Sequence, residues 1–380
     1  MNKMKTLFLT GLTVLAVTLA GPLSAADVEI KKNFTVDNGV LEVDNLAGSV
    51  KLLAAKGDEF EIQAIVKADK SAGLSAAEVA DLIGFYSVKE GGKHHFLVTY
   101  PVDEYTKYTY RDGDHGSRSS TRTRYQKKRV SVSGKSRSDS LKVHVDLVIS
   151  VPAGSELAVK NRVGQIKGSD LSADLNLDTS SGEISIGKSQ GSLRADTGSG
   201  RVTVAGYTGD ILADTGSGSI TITDSESGKV SADTGSGSVE LKKVHAEEIH
   251  VDTGSGRVTL DNASGSLKID TGSGGVTAEN IVAGKVVDVD TGSGSIRVAG
   301  NLGAVQKLRL DTGSGRVRVK TDHPLNMMLR IETGSGGIDV DLLDMSDVRS
   351  TKSSFEAQLG QGDGQGIIDT GSGGVTISMK

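Results

Sequence analysis

The chain has no cysteine and no tryptophan, and aromatic residues make up only 3% of its 380 positions. Without cysteine there can be no disulfide, and no cysteine to carry a lipid behind an export signal. Few aromatics leave material only for a thin, aliphatic core. Long apolar runs are also missing, with one exception from Leu7 to Leu19. That run follows Lys3 and Lys5 and precedes Ser24-Ala25-Ala26, so residues 1–26 are expected to be a secretory signal. No other stretch is long and apolar enough to span a membrane. The mature protein is therefore expected to be exported and soluble, in the periplasm, at the cell surface or in the medium. Losing Lys3 and Lys5 would take the formal charge from −5 to about −7.

What the chain has in abundance is a five-residue signature, Asp-Thr-Gly-Ser-Gly. It is intact at Asp196, Asp214, Asp233, Asp252, Asp270, Asp290, Asp311 and Asp369. Near-copies begin at Asp178 and Glu332. The acidic residues are spaced by 18 to 21 residues, with one final gap of 37. Counting the acid as zero, positions −3, −1, +6 and +8 are apolar in all ten copies except at Gly366. Polar residues alternate with them, which is a period of two and hence a strand with one buried face. The threonine after each acid shares the inward parity, so its methyl is expected to face the core. Glycines on both sides of the serine suit a corner that needs positive φ or close backbone approach.

One such unit cannot bury its own apolar face, and stacking supplies the partner. The expected fold is all-β: a single-stranded parallel β-helix, or β-solenoid, over residues 161–380, with right-handed winding. Roughly eleven coils at about 4.8 Å each make about 50 Å. Residues 27–160 read as an irregular β N-terminal region. Within it, Ser75 and Glu78 suggest a helix cap for residues 76–83, and Glu90–Lys93 a hairpin turn. The stretch from Leu342 to Gly366 breaks the period and reads as a coil with an insertion or a hairpin shielding the open end.

Between residues 103 and 140 the alternation disappears, and the segment reads as a flexible basic loop. From Lys107 to Lys142 there are eleven Lys or Arg against three Asp, a local charge of +8. Lys107, Arg111, Arg118, Arg122, Arg124, Lys127, Lys128 and Arg129 could attract an anionic polymer, with Tyr105, Tyr108, Tyr110 and Tyr125 stacking on it. Acidic glycan or lipopolysaccharide fits an exported protein better than nucleic acid, which is not expected as a partner.

The acidic ladder needs weighing against known chemistry. Asp-Thr-Gly-Ser is also the aspartic-protease signature, but that reaction needs two loops facing each other across a cleft. Neighbouring carboxylates about 5 Å apart also resemble a retaining glycosidase pair, yet short turns leave no substrate groove. Calcium is a third candidate, since carboxylates beside carbonyls suit a hard cation, although the motif differs from the nonapeptide calcium repeat. The simplest reading is architectural: each Asp accepts hydrogen bonds from the amides of its own corner, an Asx-turn. His94 and His95 alternate on a strand and do not form a joint metal site. Outward threonines such as Thr203, Thr221 and Thr259 are interrupted by charges, so that face reads as solvated.

The strand Asp146-Leu-Val-Ile-Ser-Val-Pro152, the export signal and recurring strands such as Gly218-Ser-Ile-Thr-Ile222 resemble the bacterial putative adhesins, a β-strand-repeat family of unknown function. The resemblance spans roughly residues 40–380, with 103–140 set apart as an addition. It implies a β-solenoid with a surface or adhesive role and no catalytic motif. The expectation is a non-enzymatic, adhesin-like binding or scaffold protein of the bacterial envelope, its partner a surface glycan or protein. The alternatives are an envelope protein that binds acidic glycan or lipopolysaccharide through the basic loop, and a polysaccharide-active β-helix enzyme.

Overall fold

The computed structural model describes residues 27–111 and 120–379, so the expected signal segment lies outside the described residues. The chain divides into two compact units, one ending at Gly182 and the other beginning at Glu183. Each is built almost wholly of β-strands.

The first unit begins with β1 (Asp27–Asp37), β2 (Val40–Ala47), β3 (Val50–Ala54) and β4 (Glu59–Asp69). A short helix α1 (Ala76–Asp81) follows, capped by Ser75 and Glu78 in the reciprocal arrangement their spacing predicts. Next come the hairpin β5 (Gly84–Glu90) and β6 (Lys93–Thr99), then β7 (Lys107–Thr109), β8 (Ser120–Tyr125) and β9 (Lys128–Ser133). The unit closes with β10 (Val143–Val151), β11 (Glu156–Val163), β12 (Ile166–Ser169) and β13 (Asp174–Thr179). Coil stacking already operates here. β2, β11 and β13 pair in parallel, with Asp44, Lys160 and Asp178 in one column. Buried Asn45 and Asn161 occupy the column that threonine fills elsewhere, joined by an amide contact of 3.0 Å. Asp146 of β10 pins the first corner by accepting from the Ser49 amide (2.7 Å) and hydroxyl (2.8 Å) and from Lys67 (2.8 Å). Those partners hold its carboxyl below the usual range although burial pushes the other way.

The second unit is a stack of coils, each named here by its acidic residue. Parallel register places Asp on Asp and Thr on Thr from coil to coil. The inward positions −3, −1, +6 and +8 are buried from the Asp196 coil to the Asp311 coil. Each fully buried Val, Leu or Ile contributes roughly 1.5–3 kcal/mol. A rise of about 4.8 Å per coil suits aliphatic side chains laid flat. Accordingly, Tyr207 and Phe355 are the only aromatic residues after Gly182.

The corner chemistry differs from the Asx-turn reading. The Asp side chains point outward, and it is the following threonine that serves the corner. Thr253, fully buried, accepts from the Gly256 amide (3.0 Å) and donates to the Gly237 carbonyl of the preceding coil (3.0 Å). Thr215, Thr234, Thr271, Thr291 and Thr312 repeat both contacts. The physical reason is parity: strand alternation that sends the acid out sends its neighbour in, directly over the corner. The corner glycines of the second unit are needed for close approach and none of them has a left-handed φ. A Cβ on Gly256 would lie 1.6 Å from the Gly237 oxygen.

A second corner recurs ten residues after the acid. Lys188, Gly206, Asp224, Lys243, Asn262, Asn280 and Gly300 all have positive φ there.

The end of the stack is out of sequence order. The strand Gly364–Thr370 lies between Lys307–Thr312 and Met327–Thr333, parallel to both. Likewise Val375–Met379 lies between Val317–Thr321 and Ile338–Asp341. The Asp369 coil is thus inserted between the Asp311 and Glu332 coils. Threonine contacts follow the same order: Thr370 donates to Gly315 (2.9 Å), and Thr333 to Gly373 (2.9 Å). Gly366, the one exception to the apolar rule, sits where a Cβ would be 2.6 Å from Met327 Sδ. The break in period is an antiparallel hairpin. Ser354–Leu359 pairs with Met327–Thr333, and Met345–Ser350 pairs with Ser354–Leu359. Asp347 has a left-handed φ of 51° on the outer strand, beside a break in its pairing register. A kinked, charged edge of this kind resists pairing with other chains.

Candidate binding surface

Two features carry the charge, and they differ in how it is balanced. The first is the carboxylate column of the second unit, Asp196 to Asp311 with Asp369 and Glu332. Its members lie side by side on adjacent strands, each in register with the next. Burial raises the pKa of Asp214, Asp233, Asp270 and Asp311, and the charge of adjacent Asp residues raises it further. Basic residues two positions before the acid offset part of this. Arg309 reaches Asp288 (3.3 Å), Asp290 (3.0 Å) and Asp311 (2.8 Å). Arg194 reaches Asp196 (3.3 Å), and Arg330 reaches Glu332 (3.1 Å). Among the described residues no three His, Asp or Glu side chains gather as a metal-binding group.

The second feature is the basic segment, whose described residues form strands where its composition suggests a flexible loop. β7, β9 and β8 form a three-stranded sheet in that order. The tyrosines anchor it and do not line a contact face: Tyr108, Tyr110 and Tyr125 are each at most 2% exposed. Tyr100 meets Tyr108 and Tyr125 edge to face at 5.5 and 5.7 Å. The Tyr125 hydroxyl donates to the carbonyl of Asp44 (3.0 Å), and that of Tyr100 to Ala47 (3.1 Å). Burial pushes the phenols of Tyr100, Tyr108 and Tyr125 upward, keeping them neutral donors. Only Tyr105 of the four predicted stacking residues is partly exposed.

The basic side chains sort by whether an acid answers them. Lys107 pairs with Asp139, Lys128 with Asp103 (2.8 Å), and Arg111 donates to the Gly134 carbonyl. Arg118 lies outside the described residues. Arg122, Arg124, Lys127 and Arg129 are exposed and have no acidic partner among the described residues. They belong to one hairpin whose register sets Arg124 directly opposite Arg129, and Arg122 opposite Ser131. Residues opposite each other share a face, so the guanidinium stems of Arg124 and Arg129 start about 5 Å apart. Inward from them lie Val130, Val132 and Tyr125. The two-residue turn, Gln126 (φ 46°) and Lys127 (φ 66°), is left-handed at both positions. That is the turn type matching strand twist, but it is built here without glycine or asparagine.

A cleft of about 550 Å³ nearby offers a contrast. Its Lys67 and Lys142 are already paired with Asp146 (2.8 Å) and Asp69 (3.0 Å). Alternation of Thr121, Thr123 and Tyr125 with Arg122 and Arg124 was the signal in the sequence that this segment is a sheet with a basic outer face.

Residues 104–378 match the family model described as Toastrack DUF4097. The matched span begins at residue 104 and so runs across the basic sheet. No protein of curated function matches the chain. Among solved structures, the chain is similar to a putative adhesin from Bacteroides fragilis at 10% identity, covering 92% of this chain and 97% of the other, with a TM-score of 0.29. A putative cell adhesion protein from Clostridium sporogenes gives 10% identity, 92% and 100% coverage, and a TM-score of 0.15. A putative lipid binding protein from Parabacteroides distasonis gives 12%, 91% and 96%, and 0.35. At those scores none of the three carries the functional argument, which rests on this chain's own residues.

Proposed function

The chain belongs to the Toastrack DUF4097 family, and from that premise we propose that it is an exported, non-enzymatic binding protein of the cell envelope. Its contact surface is the face made by Arg122, Arg124, Lys127 and Arg129. Its ligand is an anionic envelope polymer, an acidic glycan or lipopolysaccharide. The observation that carries this reading is Arg124 set opposite Arg129 with no acid to answer either among the described residues. Like charges in that relation destabilise a hairpin by roughly 0.2–1 kcal/mol, and a phosphate or carboxylate between them reverses the sign. Guanidinium forks suit such groups because they grip both oxygens of an anion. No helix among the described residues is long and apolar enough to cross a membrane.

The test is Arg122→Ser, Arg124→Ser and Arg129→Ser combined, assayed on immobilised lipopolysaccharide and acidic glycans at low and physiological salt. Three exposed ionic contacts of about 0.5–1 kcal/mol each imply a loss of roughly tenfold to a hundredfold. The melting temperature should hold or rise, since a repulsion is removed. Unchanged binding by a folded variant would refute the proposal.

A further inference from the structure

The coil placed out of order has a consequence for assembly. Residues 364–379 occupy a slot whose two walls are the Asp311 coil and the Glu332 coil. Both walls precede the inserted coil in the chain, so both can form before it docks. Backbone bonds then close on each side, from Gln365 N to Gln306 O (2.8 Å), Gly371 N to Thr312 O (3.2 Å) and Gly334 N to Thr370 O (3.0 Å). With the coil withdrawn, the slot is two strand spacings wide, roughly 9.6 Å, and both walls present unpaired strand edges.

The slot is selective. It needs the Thr-Gly-Ser-Gly corner to continue the threonine contacts, and it needs no side chain at position −3. That space is taken by Met327 and Leu329, whose Sδ and Cδ1 would lie 2.6 and 2.9 Å from a Cβ on Gly366. Every other copy of the repeat carries a Leu, Ile or Val there. Only this coil fits, and a second copy of the chain supplies an identical one.

The tether is short. Residues 360–363 join the hairpin strand Ser354–Leu359 to the inserted strand, with Gly360 and Gly362 at φ 58° and 77°. Asn326 clasps this turn: its Oδ1 accepts from the amides of Gln361 and Gly362 (2.9 Å each), and its Nδ2 donates to Asp363 (2.9 Å). Straightening the turn releases the coil without altering the slot. Exchange between two copies then restores every contact of the docked coil, losing only the Asn326 clasp on the turn, the condition under which domain swapping occurs, and short hinge loops favour it. We propose that the slot accepts residues 364–379 from a second copy of this chain, giving a reciprocally swapped dimer. Two copies joined this way would double the basic hairpins presented to a polymer.

The natural chain has no cysteine, which makes the test clean. Arg318 and Thr376 are in-register neighbours across the slot wall. Chains carrying only Arg318→Cys are mixed with chains carrying only Thr376→Cys, partly unfolded in urea, refolded together and oxidised. The dimer fraction should contain a disulfide between the two kinds of chain, well above a control in which Thr203→Cys replaces Thr376→Cys. Deleting Gln361 and Gly362 should shift the protein to dimer, since the tether can no longer turn back. Absence of a dimer after refolding, or a cross-link no more frequent than in the control, would overturn the proposal. So would a tether-deleted protein that stays monomeric.

Discussion

At the scale of single residues, the repeat assigns its two polar members opposite tasks. Thr253 is enclosed and makes two hydrogen bonds, one within its own corner and one to the coil before it. Thr253→Val keeps the shape and leaves the Gly256 amide without its acceptor. A buried donor stranded in this way costs about 1–3 kcal/mol. Urea unfolding should show that loss, and hydrogen exchange should report reduced protection at Gly256. Asp252→Asn, one residue away and outward, should stay within about 0.5 kcal/mol. The carboxylate column adds a pH dependence. Asp233 is raised by burial and then by the charge of Asp252, with His250 opposing. A carboxyl whose pKa is higher folded than unfolded contributes stability below its ordinary range and loses it as pH rises through the raised value. Asp233→Asn should therefore melt higher than the parent at pH 7, the gap closing as pH falls below the ordinary aspartate range. An equal gap at both ends would remove the column from the account of stability.

At the scale of elements, the β8–β9 hairpin holds a turn that its sequence does not favour. Replacing Gln126-Lys127 with Asn-Gly supplies residues that tolerate left-handed φ, and should stabilise the protein by about 1 kcal/mol in thermal unfolding. Legibility also varied by element. The coil strands could be read because period-two alternation has one outcome when one face is buried, as in Ile249, Val251, Val258 and Leu260. The corner acceptor was harder to identify, since Asp and Thr both cap turns. The inward parity already read for Thr253 was the deciding clue. Order among the last coils could not be read because in-register repeats are interchangeable partners. Gly366 alone marked the exception. Tyrosine burial was hidden by the dual character of the side chain, which suits a core anchored by a hydroxyl as well as an exposed face. The left-handed residues at position +10 are Asn, Asp or Gly in five coils, among them Asn262 and Asn280, but Lys188 and Lys243 in the other two. Those two lysines hide the corner, which the Gly-Ser-Gly motif outweighs in regularity.

At the scale of the whole molecule, a chain of formal charge −5 sets on one hairpin four cations with no acidic partner among the described residues, while its solenoid files carboxylates along a column. On the proposed reading, such segregation would confine polyanion binding to the hairpin, since an acidic column repels a polyanion. The most direct test observes the arginines themselves. In an NMR titration with lipopolysaccharide, the side-chain Nε–Hε signals of Arg122, Arg124 and Arg129 should move together and saturate. Those of Arg194, Arg309 and Arg318 on the solenoid should stay in place. Shifts confined to the solenoid arginines, or spread evenly over all six, would contradict the account.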